Sequence, residues 1–181
     1  MKKAISFSLC LIILFCLSSC ARSETDTLES ALLSLKKNDI SGFCEYLSED
    51  SRALVLSAAD GLNETSRDAF DRLCDVMRYA ILDQNEETHS FTVRITWIDF
   101  DKLVQRLQTV SAIGTDRAKE GEVEFLFASG KMEALYVKTE TVTVHLKSDN
   151  GSDPVIPFTA AENKELVDFL NLLTALRYFG K

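Results

Sequence analysis

The chain has 181 residues, a length that suits one domain with a sizeable hydrophobic core. It carries 20 Lys and Arg residues against 28 Asp and Glu residues, and the net charge of −8 argues against nucleic acid and against electrostatic docking on anionic lipid. The sequence contains no low-complexity tract and no internal repeat, and its two prolines, Pro154 and Pro157, mark no interdomain linker.

The first twenty residues read as an export signal. Lys2 and Lys3 precede an uncharged apolar run over residues 4–17, and Ser18, Ser19 and Cys20 follow it. A basic start, a short apolar segment and small residues at its end are typical of a secretory signal, which is removed from the mature protein. One alternative is an uncleaved anchor, although a spanning helix needs roughly 20 apolar residues. Another is ordinary signal-peptidase cleavage, with Ser19, Cys20 and Ala21 as the recognition site.

The end of the signal, Leu17-Ser18-Ser19-Cys20, resembles the lipobox of bacterial lipoproteins. The resemblance implies cleavage before Cys20, a diacylglycerol thioether on its sulfur and a location on the outer face of the cell membrane. Two or three acyl chains anchor a protein firmly, at about 0.8 kcal/mol for each buried methylene. The implied organisation is a signal peptide over residues 1–19, a lipidated cysteine and tether over 20–24, and one domain over 25–181.

Helical periodicity dominates the first part of the domain. Residues 25–37 place Leu28, Ala31, Leu32 and Leu35 on one helix face. Asp39 is positioned to cap a second short helix that ends at Ser48, and residues 51–59 form a third helical segment. Beyond a cap at Thr65, an apolar stripe predicts a helix that continues to Ile81 and ends at residues 83–85.

The pattern then changes to the alternation of a strand. Over residues 89–98, every second position is apolar, which predicts a strand with one buried face. Asp99 follows as the predicted cap of an inserted helix over residues 100–110. Within residues 115–130, the run from Glu122 to Ala128 can be read as a helix turn or a strand, because a short apolar run fits either period.

The last part of the domain predicts a hairpin and a helix. Residues 135–147 alternate as a strand, Asn150-Gly151 is a tight-turn pair, and residues 153–158 form the returning strand. Thr159 begins a capping box, after which a Leu-rich helix face extends to Gly180. Helices that are segregated from antiparallel strands predict an α+β fold, with N-terminal helices packed on one curved antiparallel sheet.

Three features of this order resemble the small bacterial lipoproteins with a nuclear-transport-factor-2-like (NTF2-like) cone. The first is the lipobox, followed by an amphipathic helix that ends in residues 35–39 and by an aromatic-bearing helix. The others are the strand-to-helix join over residues 93–101, and the terminal hairpin followed by Asn163 and a Leu-rich helix. The resemblance implies a cone-shaped sheet with an inserted and a C-terminal helix. Enzymes of the NTF2-like superfamily hold a carboxylate base and an oxyanion partner at the mouth of the cone.

No catalytic, metal-binding or cofactor-binding motif stands out in the sequence. The glycines form no phosphate-binding loop, and His89 and His145 lack the spacing of metal ligands. The candidates for a pocket at the cone mouth, chosen by strand position, are Arg94, Trp97, Asp101, Tyr136 and His145. The simpler interpretations are core packing for the aromatic residues, exposed strand positions for Arg94 and His145, and a helix-start acid for Asp101.

The cysteines divide by location. Cys10 and Cys16 lie in the signal and Cys20 receives lipid, so Cys44 and Cys74 remain in the domain. Two thiols in an exported protein can form a disulfide. The alternative is that both are buried and behave as small apolar residues.

The leading functional hypothesis is a non-enzymatic binding or interaction module, anchored through Cys20. Its ligand would be a small apolar molecule, a peptide or a neighbouring envelope protein, and nucleic acid is excluded. It requires a concave apolar sheet or an exposed apolar patch with a polar rim. A cone-pocket isomerase or hydrolase would instead need a buried acid and a hydrogen-bond donor that converge. A purely structural lipoprotein would have a filled cone.

Overall fold

The computed structural model describes residues 22–62, 64–99, 137–148 and 152–157, together with residues 102, 105, 159, 162 and 163. In these residues, helices come first and an antiparallel sheet follows, which confirms the α+β class. The helices are α1 (Glu24–Lys36), α2 (Ile40–Cys44), α3 (Glu49–Asp60) and α4 (Glu64–Asp75). The strands, in the order β1-β2-β3, are β1 (Arg78–Asn85), β2 (Ser90–Ile98) and β3 (Val137–His145).

Helix α1 forms as its periodicity predicts and is capped at both ends. The Ser23 hydroxyl accepts the Asp26 N–H at 3.0 Å, which satisfies one of the free donors of the first turn. At the other end, Asn38 adopts a left-handed conformation with φ 57°, and the Asp39 N–H donates to the Ser34 carbonyl at 2.9 Å. This is a Schellman end with asparagine in place of the usual glycine. The predicted apolar face is buried.

The two helices that follow confirm the predicted segments with small changes in length. Asp39 caps α2, because its carboxylate accepts the Gly42 N–H at 2.8 Å. A Cβ at position 42 would lie 2.2 Å from Asp39 Oδ2, so this cap depends on glycine. Helix α3 buries Val55 and Ala58.

The prediction of a helix through Ile81 is wrong. Helix α4 begins one residue before Thr65 and ends at Asp75, where the Arg78 guanidinium donates to the Asp75 and Met77 carbonyls. Residues 78–85 form β1 instead, and they pair with β2 at seven positions. The apolar residues of this stretch fit both a helical stripe and an alternating strand, so the long-range pairing decides between the two.

Strand β2 is the centre of the sheet. It pairs with β1 on one side and with β3 at nine positions on the other. The side chains of Phe91, Val93 and Ile95 on its inner face are buried, and Val142 and Val144 of β3 lie beside them. These strand residues and the buried faces of the four helices form one hydrophobic core.

Strand β1 lies at an edge of this sheet and contains a bulge. The register shifts between Ile81 and Asp83, so Leu82 is an extra residue whose side chain is 49% exposed. Bulges twist an edge strand and discourage pairing with other chains.

The predicted returning strand is shorter than expected. Val155 pairs with Lys147 next to β3, but Ile156 then bridges Leu47 in the connection between α2 and α3. The Ile156 N–H donates to the Tyr46 carbonyl at 2.8 Å. Pro154 and Pro157 flank this pair and supply no N–H donor, so they limit the ladder to a single residue on each side. The predicted turn at residues 149–151 lies outside the described residues.

A buried asparagine covers the end of β3. Asn163 is 1% exposed, and its Oδ1 accepts the His145 N–H at 2.7 Å. Its Nδ2 donates to the His145 carbonyl at 3.0 Å and to the Pro157 carbonyl at 2.7 Å. The side-chain amide therefore satisfies the backbone of β3 as a neighbouring strand would.

The predicted inserted and C-terminal helices lie mostly outside the described residues. At the start of the first, Asp99 Oδ1 accepts the Lys102 N–H at 3.2 Å, and residues 102 and 105 are helical. Ahead of the second, the Thr159 hydroxyl donates to Glu162 Oε2 at 2.9 Å.

We expect Asn163→Ala to lower the free energy of unfolding by roughly 2–4 kcal/mol, because it leaves buried backbone groups of His145 and Pro157 without partners. Urea denaturation followed by circular dichroism measures the change. Asn85→Ala is the matched control: its amide oxygen accepts the Glu87 and Thr88 N–H groups in an exposed turn, and its loss should cost less than about 1 kcal/mol. Equal losses in the two variants would contradict the role given to Asn163.

Candidate functional site

Three residues of the predicted cone-mouth pocket are described, namely Arg94, Trp97 and His145, and the structure separates Trp97 from His145. Trp97 lies opposite Lys138, and His145 lies opposite Ser90. Lys138 and His145 are seven positions apart on β3, which is about 24 Å along the strand. Because seven is odd, the two side chains also lie on opposite faces of the sheet. Trp97 and His145 therefore do not line a common pocket.

The burial of the predicted pocket residues can be stated one by one. Trp97 is half-buried, and its indole N–H has no hydrogen-bond partner among the described residues. His145 is half-buried on the same face as the exposed Thr141 and Thr143. Arg94 is exposed, as the alternation predicts. Cys20, Asp101 and Tyr136 lie outside the described residues.

Cys44 and Cys74 are free, buried thiols in this structure. Burial raises the pKa of the Cys44 thiol. Burial also raises the pKa of Cys74 to about 12, and the nearby Asp71 and Asp75 carboxylates add to the effect. Both thiols therefore stay protonated at neutral pH, and a protonated thiol is a poor nucleophile and a poor metal ligand.

An exposed polar cluster joins the start of α1 to the β1–β2 turn. Glu24 Oε1 lies 2.6 Å from His89 Nδ1, and Glu24 Oε2 lies 3.5 Å from the amide nitrogen of Gln84. The Thr25 hydroxyl donates to Gln84 Oε1 at 3.1 Å. The cluster borders no described cavity, so we assign it to fixing the helix on the hairpin.

A second exposed cluster lies beyond β3, between Lys147 and Glu162. Hydrogen bonds from the Lys147 ammonium and the Thr159 hydroxyl lower the pKa of the Glu162 carboxyl. The lowered pKa favours the charged carboxylate, which suits a surface ion pair.

The described cavity lies between helices α1 to α4, away from the sheet. It is a surface groove of about 340 Å³. Its lining combines apolar, polar and charged side chains from four consecutive segments: Asn38, Ile40, Ser41, Leu56, Ala59, Asp60, Leu62, Arg67 and Phe70.

The groove has an apolar floor and a polar rim. Phe70 and Leu62 are 2% and 5% exposed, whereas Leu56 is 40% exposed and faces the opening. Asp60 and Arg67 are exposed, and neither forms an ion pair within the described part of the chain. Small-molecule sites commonly have this composition, with volumes from about 300 Å³ upward.

A hydrogen bond beside the groove joins the end of α1 to α4. Asn38, at the end of α1, donates from Nδ2 to Asp71 Oδ1 of α4 at 3.0 Å. The Schellman end of α1 fixes the asparagine backbone, and α4 carries both Asp71 and the lining residues Arg67 and Phe70.

Sequence reasoning did not locate this groove. Its residues come from four separate segments, and no single periodic pattern contains them. The one sequence feature that pointed to the groove was Leu56. This apolar residue of α3 lies off the buried face made by Val55 and Ala58. Leu54 carries the same signal, at 52% exposure, but does not line the groove.

No group of His, Cys, Asp and Glu side chains in the described ranges could hold a metal ion. No described helix combines the length and apolar character that crossing a membrane requires. Comparisons with protein-family models, with curated proteins and with solved structures gave no match.

We expect Cys44 and Cys74 to react at least about 100-fold more slowly with dithiobis(nitrobenzoic acid) in the folded protein than in guanidinium chloride. The measurement uses a chain with Cys10, Cys16 and Cys20 replaced by alanine, and follows absorbance at pH 8. Adding Ser57→Cys, at an exposed position of α3, provides a fast-reacting control. Rapid reaction of the two native thiols, or a mass that reveals a disulfide, would contradict this expectation.

Proposed function

We propose that the protein is an extracytoplasmic bacterial lipoprotein, anchored to the membrane through Cys20, whose domain is a non-enzymatic binding module. The helical groove is its ligand site, and the observation that carries this proposal is a groove with a buried apolar floor, an exposed leucine, Leu56, and a polar rim. For the fold we propose an NTF2-like cone. The order of helices followed by an antiparallel sheet supports this assignment.

The ligand that suits the groove is a small apolar molecule with one acidic group. Ile40 and Leu56 offer apolar contact. Arg67 supplies a guanidinium that no described carboxylate occupies, and guanidinium groups bind carboxylates, sulfonates and phosphates through paired hydrogen bonds. Asp60 adds an acceptor for a ligand hydroxyl or amide. A peptide or a neighbouring envelope protein could present the same chemistry through an apolar side chain beside a carboxylate.

The anchor is supported by the sequence and by the charge of the mature chain. Cleavage before Cys20 removes Lys2 and Lys3 and no acid, which leaves 18 basic and 28 acidic residues and a net charge of −10. Such a surface gains little from anionic headgroups, so attachment would depend on acyl chains.

We expect the domain to bind anilinonaphthalene sulfonate, an apolar dye with one anionic group, at a single saturable site. Leu56→Asp should weaken this binding by about tenfold, because it removes apolar contact and adds a like charge. Arg67→Ala should weaken it severalfold through loss of the sulfonate partner. Fluorescence titration at fixed protein concentration measures both effects.

Leu54→Asp is the matched control for the groove. It makes the same substitution at a similarly exposed leucine of the same helix that lies outside the groove lining, so binding should be unchanged. If Leu54→Asp and Leu56→Asp weaken binding equally, or if neither does, the groove is not the binding site.

We expect the protein made in a bacterial host to have a mass that begins at Cys20 and includes acyl chains, and to enter the detergent phase. Cys20→Ala should abolish both properties. Cys16→Ala, which changes a cysteine within the signal, should leave the mature mass unaltered. A water-soluble wild-type protein that begins after Ala21 would contradict the lipid anchor.

A further inference from the structure

Arg22, two residues after Cys20, is attached to the domain by its backbone and its side chain. Its N–H donates to Asp153 Oδ1 at 3.1 Å, and its Nε lies 4.0 Å from Asp153 Oδ2. The guanidinium carbon lies 5.0 Å from the centroid of the Tyr46 ring, in a cation–π arrangement. We call Arg22, Tyr46 and Asp153 the clip.

The partners of Arg22 belong to segments that are themselves joined. The Tyr46 carbonyl accepts the Ile156 N–H at 2.8 Å, and the Ser48 N–H donates to the Ile156 carbonyl at 3.1 Å. Ser23, directly after Arg22, caps α1. The chain therefore leaves the clip as a capped helix, and no flexible linker separates position 22 from the folded domain.

The clip lies at the surface and close to the lipidation position. The side chains of Arg22 and Asp153 are 44% and 51% exposed. Two residue steps separate Cys20 from Arg22, which is a span of at most about 7 Å. An acylated Cys20 would therefore hold the clip at the level of the lipid headgroups.

The groove lies at the other end of the helical layer. Helix α1 begins beside the clip and ends before Asn38, which lines the groove. Helix α3 begins after Ser48, which bonds to Ile156, and its last residue, Asp60, also lines the groove. These helices have 13 and 12 residues, or about 20 Å and 18 Å of length.

We propose that the clip fixes the orientation of the domain on the bilayer, with the surface around Arg22, Tyr46 and Asp153 against the headgroups and the groove held at the far end. This inference rests on the proposed lipid anchor. It identifies the membrane-facing surface of the domain and its partner, a phospholipid bilayer. The short span between Cys20 and the clip sets this orientation, and electrostatic attraction is not required.

The test uses the full lipidated protein in vesicles of phosphatidylethanolamine and phosphatidylglycerol that contain a headgroup nitroxide quencher. A fluorescent maleimide is attached at Glu45→Cys, next to Tyr46, or at Ser57→Cys, near the end of α3; both positions are exposed. Cys44 and Cys74 are buried and protonated, so they compete poorly for the label. We expect severalfold stronger quenching at position 45 than at position 57.

Breaking the clip should reduce this difference while the acyl anchor stays. Arg22→Ala and, from the opposite side, Asp153→Asn should each reduce the ratio of quenching at the two positions by at least half. Arg94→Ala, at an exposed arginine on the sheet, should leave the ratio unchanged. Thermal unfolding of each variant establishes that the domain remains folded.

Equal quenching at the two positions in an acylated wild-type protein would overturn the orientation, and so would an unchanged ratio in both clip variants. Intact mass separates these results from failure of the anchor. A protein without acyl chains that does not bind the vesicles would overturn the anchor and the orientation together.

Discussion

The structure depends on the inner face of β2. Phe91, Val93 and Ile95 are each at most 1% exposed, and the residues opposite Val93 on the two neighbouring strands, Ile81 and Val142, are apolar as well. Fully burying such side chains stabilises the fold by about 1.5–3 kcal/mol each. A shift of one residue in either ladder would turn this face toward solvent, so the apolar alternation fixes the register. The helices bury their own apolar faces in the same core.

Local patterns predicted the helices and strands whose apolar spacing fits only one type of secondary structure. Leu28 to Leu35 form a helix face, and Phe91 to Ile95 form a strand face, because each arrangement buries its apolar residues in only one of the two conformations. The segment after Asp75 differs. Met77 and Ile81 are four residues apart, as on a helix, while Tyr79 and Ile81 alternate as on a strand. Pairing with β2 settles the choice, and neither that pairing nor the bulge at Leu82 can be read from local spacing.

The groove and the clip depend on contacts that are distant in sequence, which is why local patterns did not reveal them. Strand position alone grouped Trp97 with His145, but the β2–β3 register separates them. The groove takes side chains from four segments, and one residue of the clip, Asp153, lies 131 positions after Arg22. The groove forms where α2 packs against α1 and α3, which brings side chains from separate segments together.

Helix α1 connects the two surfaces and is fixed at both ends. At its start, Ser23 caps the helix, and contacts of Arg22 with Tyr46 and Asp153 and of Glu24 with His89 join it to three other parts of the domain. At its end, the left-handed Asn38 backbone terminates the helix and the Asn38 side chain bonds to Asp71. The helix has 13 residues and is therefore about 20 Å long. The same helix thus connects the chain next to Cys20 to Asn38 at the edge of the groove.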